Sequence, residues 1–355
     1  MKKQLLFILS IILIGTSLMA QSSPAKVLIE EHTGAWCGYC PDGHVILDQL
    51  LANNPTNTIG VMVHNGDGMD FGYGNSLSAF YVTGFPQGTI NRRSAAISRN
   101  LWVSTTANIL AQGPTSVTVS FDSVLYNPSL RKLNVYMKAY FTGNEAGDIR
   151  FNGILVEDGI TGTGPNYDQS NYFNTTSNHP MYGLGNPIVG YVHDKVARTY
   201  FGGPFGTLNS LPTTITAGST YIKHYTFTVP ATYDDTELSV IGMVSRVAGA
   251  TADDREIINS EVTDAITIIN YAVGMEEDEV TFNAIYPNPT QGIVNITPAV
   301  SGKQQLSVTN ILGELVMSKE VNLVSGSPFS IDISAQPVGI YLLRIGNSSE
   351  RIIKE

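Results

Sequence analysis

The stretch GAWCGYCPDGH, residues 34–44, holds both cysteines of the 355-residue chain, two residues apart. A CxxC pair supports three chemistries: a redox couple, part of a metal site, or an inert crosslink. Haem attachment needs CxxCH, and residue 41 is proline. A closed zinc site could draw on His44 and His32 but wants four ligands in a tetrahedron. A disulfide across so short a loop stabilises little, because loop-closure entropy grows with loop length, which favours redox use over a staple.

Working outward, KVLIEEH (26–32) reads as a buried strand and CPDGHVILDQLLANN (40–54) as a helix, with Leu47, Leu50 and Leu51 at helical spacing. NTIGVMVHN (57–65) resembles a second buried strand. A loop rich in Gly and Asp follows (66–75), then a short helix-like piece (75–83) and GFPQGTINRR (84–93). Strand, helix, strand with an adjacent CxxC is the pattern of an α/β thioredoxin-like domain, predicted over residues 25–112. A thiol at a helix start sits where backbone N–H groups and the dipole favour negative charge, which lowers its pKa from about 8.5 into the range of roughly 3.5–7.5. Cys37 is then the nucleophile and Cys40 the resolving thiol, with Pro41 tolerated in the first turn.

WCGYC resembles the thioredoxin superfamily motif, with Trp36 directly before the first cysteine. That resemblance implies a cis-proline facing the disulfide, for which Pro86 in TGFPQGTI stands at a fitting distance. It also implies a buried acid six residues before Cys37, which is Glu31, as proton relay for Cys40. Glu30 falls on the opposite strand face, so only one of the two is expected to be buried. The Gly-Tyr dipeptide matches neither the Gly-Pro of reductants nor the Pro-His of strong oxidants and leaves the direction of electron flow open. His64 reads as a loop residue; Asp67 and Asp70 lack the spacing of a calcium loop. His193, Asp194 and Arg198 read as a structural polar patch. No hydrolase motif or phosphate-cradling loop occurs, so no metal and no cofactor is expected.

At the amino end, Lys2 and Lys3 precede an uncharged run that closes in small and polar residues, the order of a secretory signal peptide over 1–20. Losing the two lysines takes the net charge from −10 to −12. An acidic chain without a basic run excludes nucleic acid as a partner. From residue 113 the hydrophobic period becomes two, predicting an all-β, antiparallel sandwich domain over 113–272. The stretch from Gly159 to Gly206 has little periodicity and reads as surface loops carrying binding contacts. An acidic linker (273–281) leads to short strands over 282–355, a small C-terminal β-sandwich.

EEHTGAWCGYCP (30–41), TGFPQGTINR (83–92), ILVEDGITG (154–162), YVHDKVAR (191–198) and REIINS (255–260) together resemble the outer-membrane-protein-28-related family of Bacteroidota. YPNPTQGIVNI (286–296), VTNILGELV (308–316), PVGIYLLRI (337–345) and ERIIKE (350–355) resemble the type IX secretion system C-terminal sorting domain. The resemblances imply a secreted or outer-membrane cell-surface protein reached through the periplasm, with the type IX translocon as a partner of the sorting domain. Two functions follow: binding or adhesion to an unknown surface ligand through the sandwich loops, or thiol-disulfide exchange on a protein thiol substrate by Cys37 and Cys40, with Glu31, Pro86 and Trp36 around them.

Overall fold

In this computed structural model, residues 22–269, 282–311, 314–346 and 348–355 are described; the predicted signal peptide and the linker 273–281 lie outside them. The first strand, β1 (Val27–Thr33), is buried at all seven positions. It therefore has neighbours on both faces. Helix α1 (Cys40–Asn53) follows and stops where the amide of Asn54 turns back to the carbonyls of Leu50 and Leu51. Strand β2 (Thr58–His64) runs parallel to β1, with Val27 opposite Thr58 and Thr33 opposite His64. After α2 (Gly74–Tyr81), strand β3 (Gln87–Ile90) pairs antiparallel with β1 and forms a hairpin with β4 (Ile97–Ser98), before α3 (Trp102–Leu110).

Alternation along β1 decides what each face meets. Val27 and Ile29 pack with Leu47 and Leu50 of α1 and with Trp102 and Ile109 of α3. Leu28 joins Leu77 and Tyr81 of α2 on the other face. Glu31 thus falls on the α1 side, and Glu30 and His32 on the α2 side.

The next strands are β5 (Val117–Asn127), β6 (Lys132–Phe141), β7 (Glu145–Ala146), β8 (Ile149–Glu157), β9 (Val196–Tyr200), β10 (Thr214–Ile215), β11 (Thr220–Thr228), β12 (Leu238–Arg246), β13 (Ile257–Thr263) and β14 (Thr267–Ile268). The carboxy-terminal strands are β15 (Phe282–Tyr286), β16 (Ile293–Pro298), β17 (Gly302–Asn310), β18 (Leu315–Leu323), β19 (Phe329–Asp332), β20 (Gly339–Ile345) and β21 (Ser348–Lys354). The chain is mostly β, arranged in several sheets.

One sheet of eight strands has the order β13-β12-β8-β9-β2-β1-β3-β4, so it runs across the expected boundary at 112/113. The junction is the parallel pairing of Met62 with Val196. A second sheet, β14-β5-β6-β11-β15-β16-β19, packs on its distal half. In β6 the inward series Leu133, Val135, Met137, Ala139 and Phe141 is fully buried, the period of two expected of a sandwich strand. Not every pairing is antiparallel as predicted: β9 runs parallel to β2 and β14 parallel to β5, partners far apart in sequence that no hairpin joins. The four-stranded sheet β18-β17-β20-β21 closes the carboxy-terminal sandwich over Val294, Ile296, Leu306, Val308 and Leu343. This tail adds to the body at the edge of β11, where Ile222 pairs with Ile285, and Arg351 bonds Asp122 at 2.6 Å.

Candidate redox site

Cys37 and Cys40 form a disulfide at the start of α1, with the Cys37 amide bonded back to the Gly34 carbonyl and the Cys40 amide to that of Cys37. Cys37 is only 5% exposed and Cys40 is fully buried. Trp36 lies half in solvent, donates its indole N–H to the Asn65 carbonyl at 2.7 Å, and meets Phe85 edge-on at 5.1 Å. The Phe85–Pro86 peptide is cis. A Cβ on Gly43 would lie 2.3 Å from Glu31 Oε1 and 3.3 Å from Pro86 Cβ, so Glu31 and Pro86 converge beneath the first turn of α1. That turn begins at Cys40.

Glu31 is 0% exposed, and neither carboxylate oxygen has a hydrogen-bond partner. Burial, helped by Asp48, pushes its carboxyl well above the usual range, which favours the protonated form. His44 Nε2 stands 3.7 Å from Glu31 Oε1 and 3.0 Å from Thr33 Oγ1, and His44 Nδ1 is 3.0 Å from the Tyr191 hydroxyl. Burial drives His44 well below its ordinary value, with His64 adding to the effect. At 3.7 Å the contact is longer than a hydrogen bond, and burial disfavours the charged form of both groups.

Both Glu30 and Glu31 are buried, contrary to the expectation that only one would be, because β1 is covered on both faces. The two meet different fates. Glu30 receives both Nε and Nη2 of Arg92 at 2.6 Å, the Thr89 hydroxyl at 2.8 Å and the Tyr200 hydroxyl at 2.7 Å. Burial raises its pKa, but the Arg92 charge and these bonds outweigh burial and hold it at about 2. His32 lies on this same face against Ser78, so β1 separates it from His44, and the two cannot share a metal. His64, expected in a loop, is the buried last residue of β2, with Nδ1 bonded to Asp67 at 2.6 Å.

The long connection between β8 and β9, expected to decorate the sandwich, instead lies along the CxxC loop. Ser170 N–H donates to the Ala35 carbonyl at 2.7 Å and Tyr172 N–H to the Gly38 carbonyl at 2.9 Å. The buried Gln169 amide nitrogen donates to the carbonyls of Gly34 (3.3 Å) and Cys37 (3.0 Å). Tyr39 packs edge-on against Tyr172 at 5.0 Å, and His179 bonds Asp42, which also accepts from Arg99. Long-range partners of this kind carry no signal in the sequence beyond an aperiodic stretch.

Gly38 lets the segment approach, since a Cβ there would sit 2.5 Å from the Tyr172 ring. Gly38→Ala is expected to lift residues 169–173, weakening their docking by about 1–2 kcal/mol and speeding reduction of the disulfide by dithiothreitol about tenfold. Reduction kinetics and limited proteolysis between residues 158 and 195 check this.

Residues 284–355 match the secretion system C-terminal sorting domain, which makes this an exported protein, secreted or held at the outer-membrane surface, that engages the type IX export machinery. Residues 75–261, more than half of the chain, match the family described as outer membrane protein Omp28. The chain belongs to that family. Among solved structures it is similar to HBP35 of Porphyromonas gingivalis, at 15% identity and a TM-score of 0.56, covering 94% of this chain and 99% of that one. A structural-genomics protein from Agrobacterium tumefaciens is 12% identical, with a TM-score of 0.41, covering 73% of this chain and 100% of that one. At such identities the first likeness concerns the fold alone. No curated protein matches the chain.

Proposed function

We propose that the amino-terminal unit is thioredoxin-like and that Cys37 and Cys40 exchange disulfides with protein thiols, as part of an exported surface protein. The observation that carries this is the unpartnered, buried carboxyl of Glu31 under the turn that begins at Cys40. A buried carboxyl without hydrogen bonds costs stability, and such groups concentrate where proton transfer is needed. The element order β1-α1-β2-α2-β3-β4-α3 with sheet order β2-β1-β3-β4 supports the fold assignment, and the cis peptide before Pro86 fits its expected role. After reduction, Cys37 alkylation is expected to follow a midpoint well below the roughly 8.5 of a free thiol. Cys37→Ser should abolish insulin reduction, and Cys40→Ser should trap mixed disulfides. A midpoint at the free-thiol value, or an inert pair, would remove this reading.

A second reading, surface binding or adhesion, is favoured by the exposed apolar side chains of the β8–β9 connection, among them Tyr172, Tyr182, Leu184 and Val189. Polar replacements at Tyr182, Leu184 and Val189 would then weaken attachment while the cysteine-to-serine variants would not. The reverse pattern would favour the enzyme.

A further inference from the structure

We infer that His44 and Tyr191 act on the redox pair through Glu31, as positioning residues that pass its proton between the buried carboxyl and solvent. This rests on the redox reading above and extends it to two residues with no assigned part. His44 lies one helical turn beyond Cys40, so it shares the face of α1 that looks onto β1. Its two ring nitrogens are spoken for on both sides: Nε2 by Thr33 and, at 3.7 Å, by Glu31; Nδ1 by the Tyr191 hydroxyl. Tyr191 comes from the far end of the β8–β9 connection and is partly exposed. Glu31, His44 and Tyr191 therefore form a file that begins beneath the cysteines and ends at a partly exposed tyrosine.

The file solves a problem that burial creates. A substrate thiolate attacks Cys37 Sγ, the Cys37–Cys40 bond breaks with its electron pair left on Cys40 Sγ, and Glu31 gives that sulfur its carboxyl proton. The substrate sulfur is oxidised into a mixed disulfide with Cys37, and Cys40 is reduced to a thiol. What remains is a carboxylate in a site that water does not reach, which is costly. With the Tyr191 O–H donating to Nδ1, the Nε2 proton of His44 is free to pass to Glu31 as Nδ1 takes the hydroxyl proton, which Tyr191 recovers from solvent. Proton transfer requires the 3.7 Å separation to close to an ordinary hydrogen bond of about 3 Å, with Nε2 exchanging Thr33 for Glu31. In the opposite direction every transfer reverses, and Glu31 removes the Cys40 proton.

The charged neighbours do not supply this route. Asp42 and Asp48 of α1 oppose ionisation of Glu31, whereas Arg99 from the approach to α3 and Lys195 from the approach to β9 favour it. Asp42 is engaged by Arg99 and His179, and Lys195 by Asp48 at 3.0 Å. Burial first, and then His64, His193 and Lys195, disfavour a lasting charge on His44, as a transit group requires.

The test follows reduced full-length protein reacting with oxidised glutathione, reading the two glutathione releases separately. Wild type should complete both. His44→Gln should form the mixed disulfide at the wild-type rate but resolve it about tenfold more slowly near neutrality, with resolution gaining about tenfold per pH unit as hydroxide substitutes for the missing His44 relay. Tyr191→Phe, which removes one hydroxyl, should move the same step in the same direction and decides the matter if His44→Gln does not fold. Resolution within about twofold of wild type in both variants, with an unaltered pH profile, overturns the roles of His44 and Tyr191 alone. A wild-type protein inert to glutathione overturns them together with the redox reading.

Discussion

Arg92→Ala is expected to cost about 3–5 kcal/mol of unfolding free energy at neutral pH, the penalty for leaving a buried charge without its partner. Glu30 is buried on the α2 face of β1, and Arg92 supplies two of its four hydrogen bonds while also reaching the Pro204 carbonyl at 2.5 Å. The pH dependence follows from the depressed carboxyl. With a folded value of about 2, Glu30 contributes stability that is full above its unfolded value and is lost as pH falls through about 2. Without Arg92 the carboxyl rises and is neutralised in mild acid, so the gap between variant and wild type should narrow as pH falls towards about 4. Denaturant titrations at both pH values check the sign. Replacing Glu30 and Arg92 together by apolar residues of similar size should cost much less than either single change, because no orphan charge remains.

Deleting residues 282–355 is expected to abolish delivery to the surface and leave the protein in the periplasm, since the matched sorting domain lies wholly within that segment. Fractionation with an antibody to the body reads the result, and undiminished surface yield would defeat it. A protease-resistant body in the periplasm separates lost export from lost folding. The second case is unfavoured, because the body keeps its own core of Val135, Met137, Phe151, Leu155 and Val240, to which, among the described residues, the tail adds only Tyr286.

Much of the first unit was legible because its signals are local. The helix over 40–53 follows from the leucine spacing behind the CxxC, the motif resemblance singled out Glu31, and alternation set Glu30 on the opposite face of the strand. The fate of Glu30 was not legible: its covering comes from Arg92 and from Tyr200, 170 residues away. Alternation states that a strand has a buried face, but not which strand lies beside it. The Met62–Val196 junction that fuses two expected units into one sheet was therefore invisible, as were Gln169, Tyr172 and Tyr191 around the cysteines. These contacts are set by where a 38-residue connection (158–195) returns, and its own residues show no period that would tell. In the tail the strands β16 to β20 were readable from their period and the turns between them, whereas β15, β21 and the pairing of β16 with β19 and of β17 with β20 were not.

The attachment of that tail has a corollary for a body prepared without residues 282–355. Strand β15 covers the outer rim of β11 at Ile222, and cutting it away would bare amide and carbonyl groups along an open seam. Such a body would then carry a ready berth for a strand from a neighbouring chain.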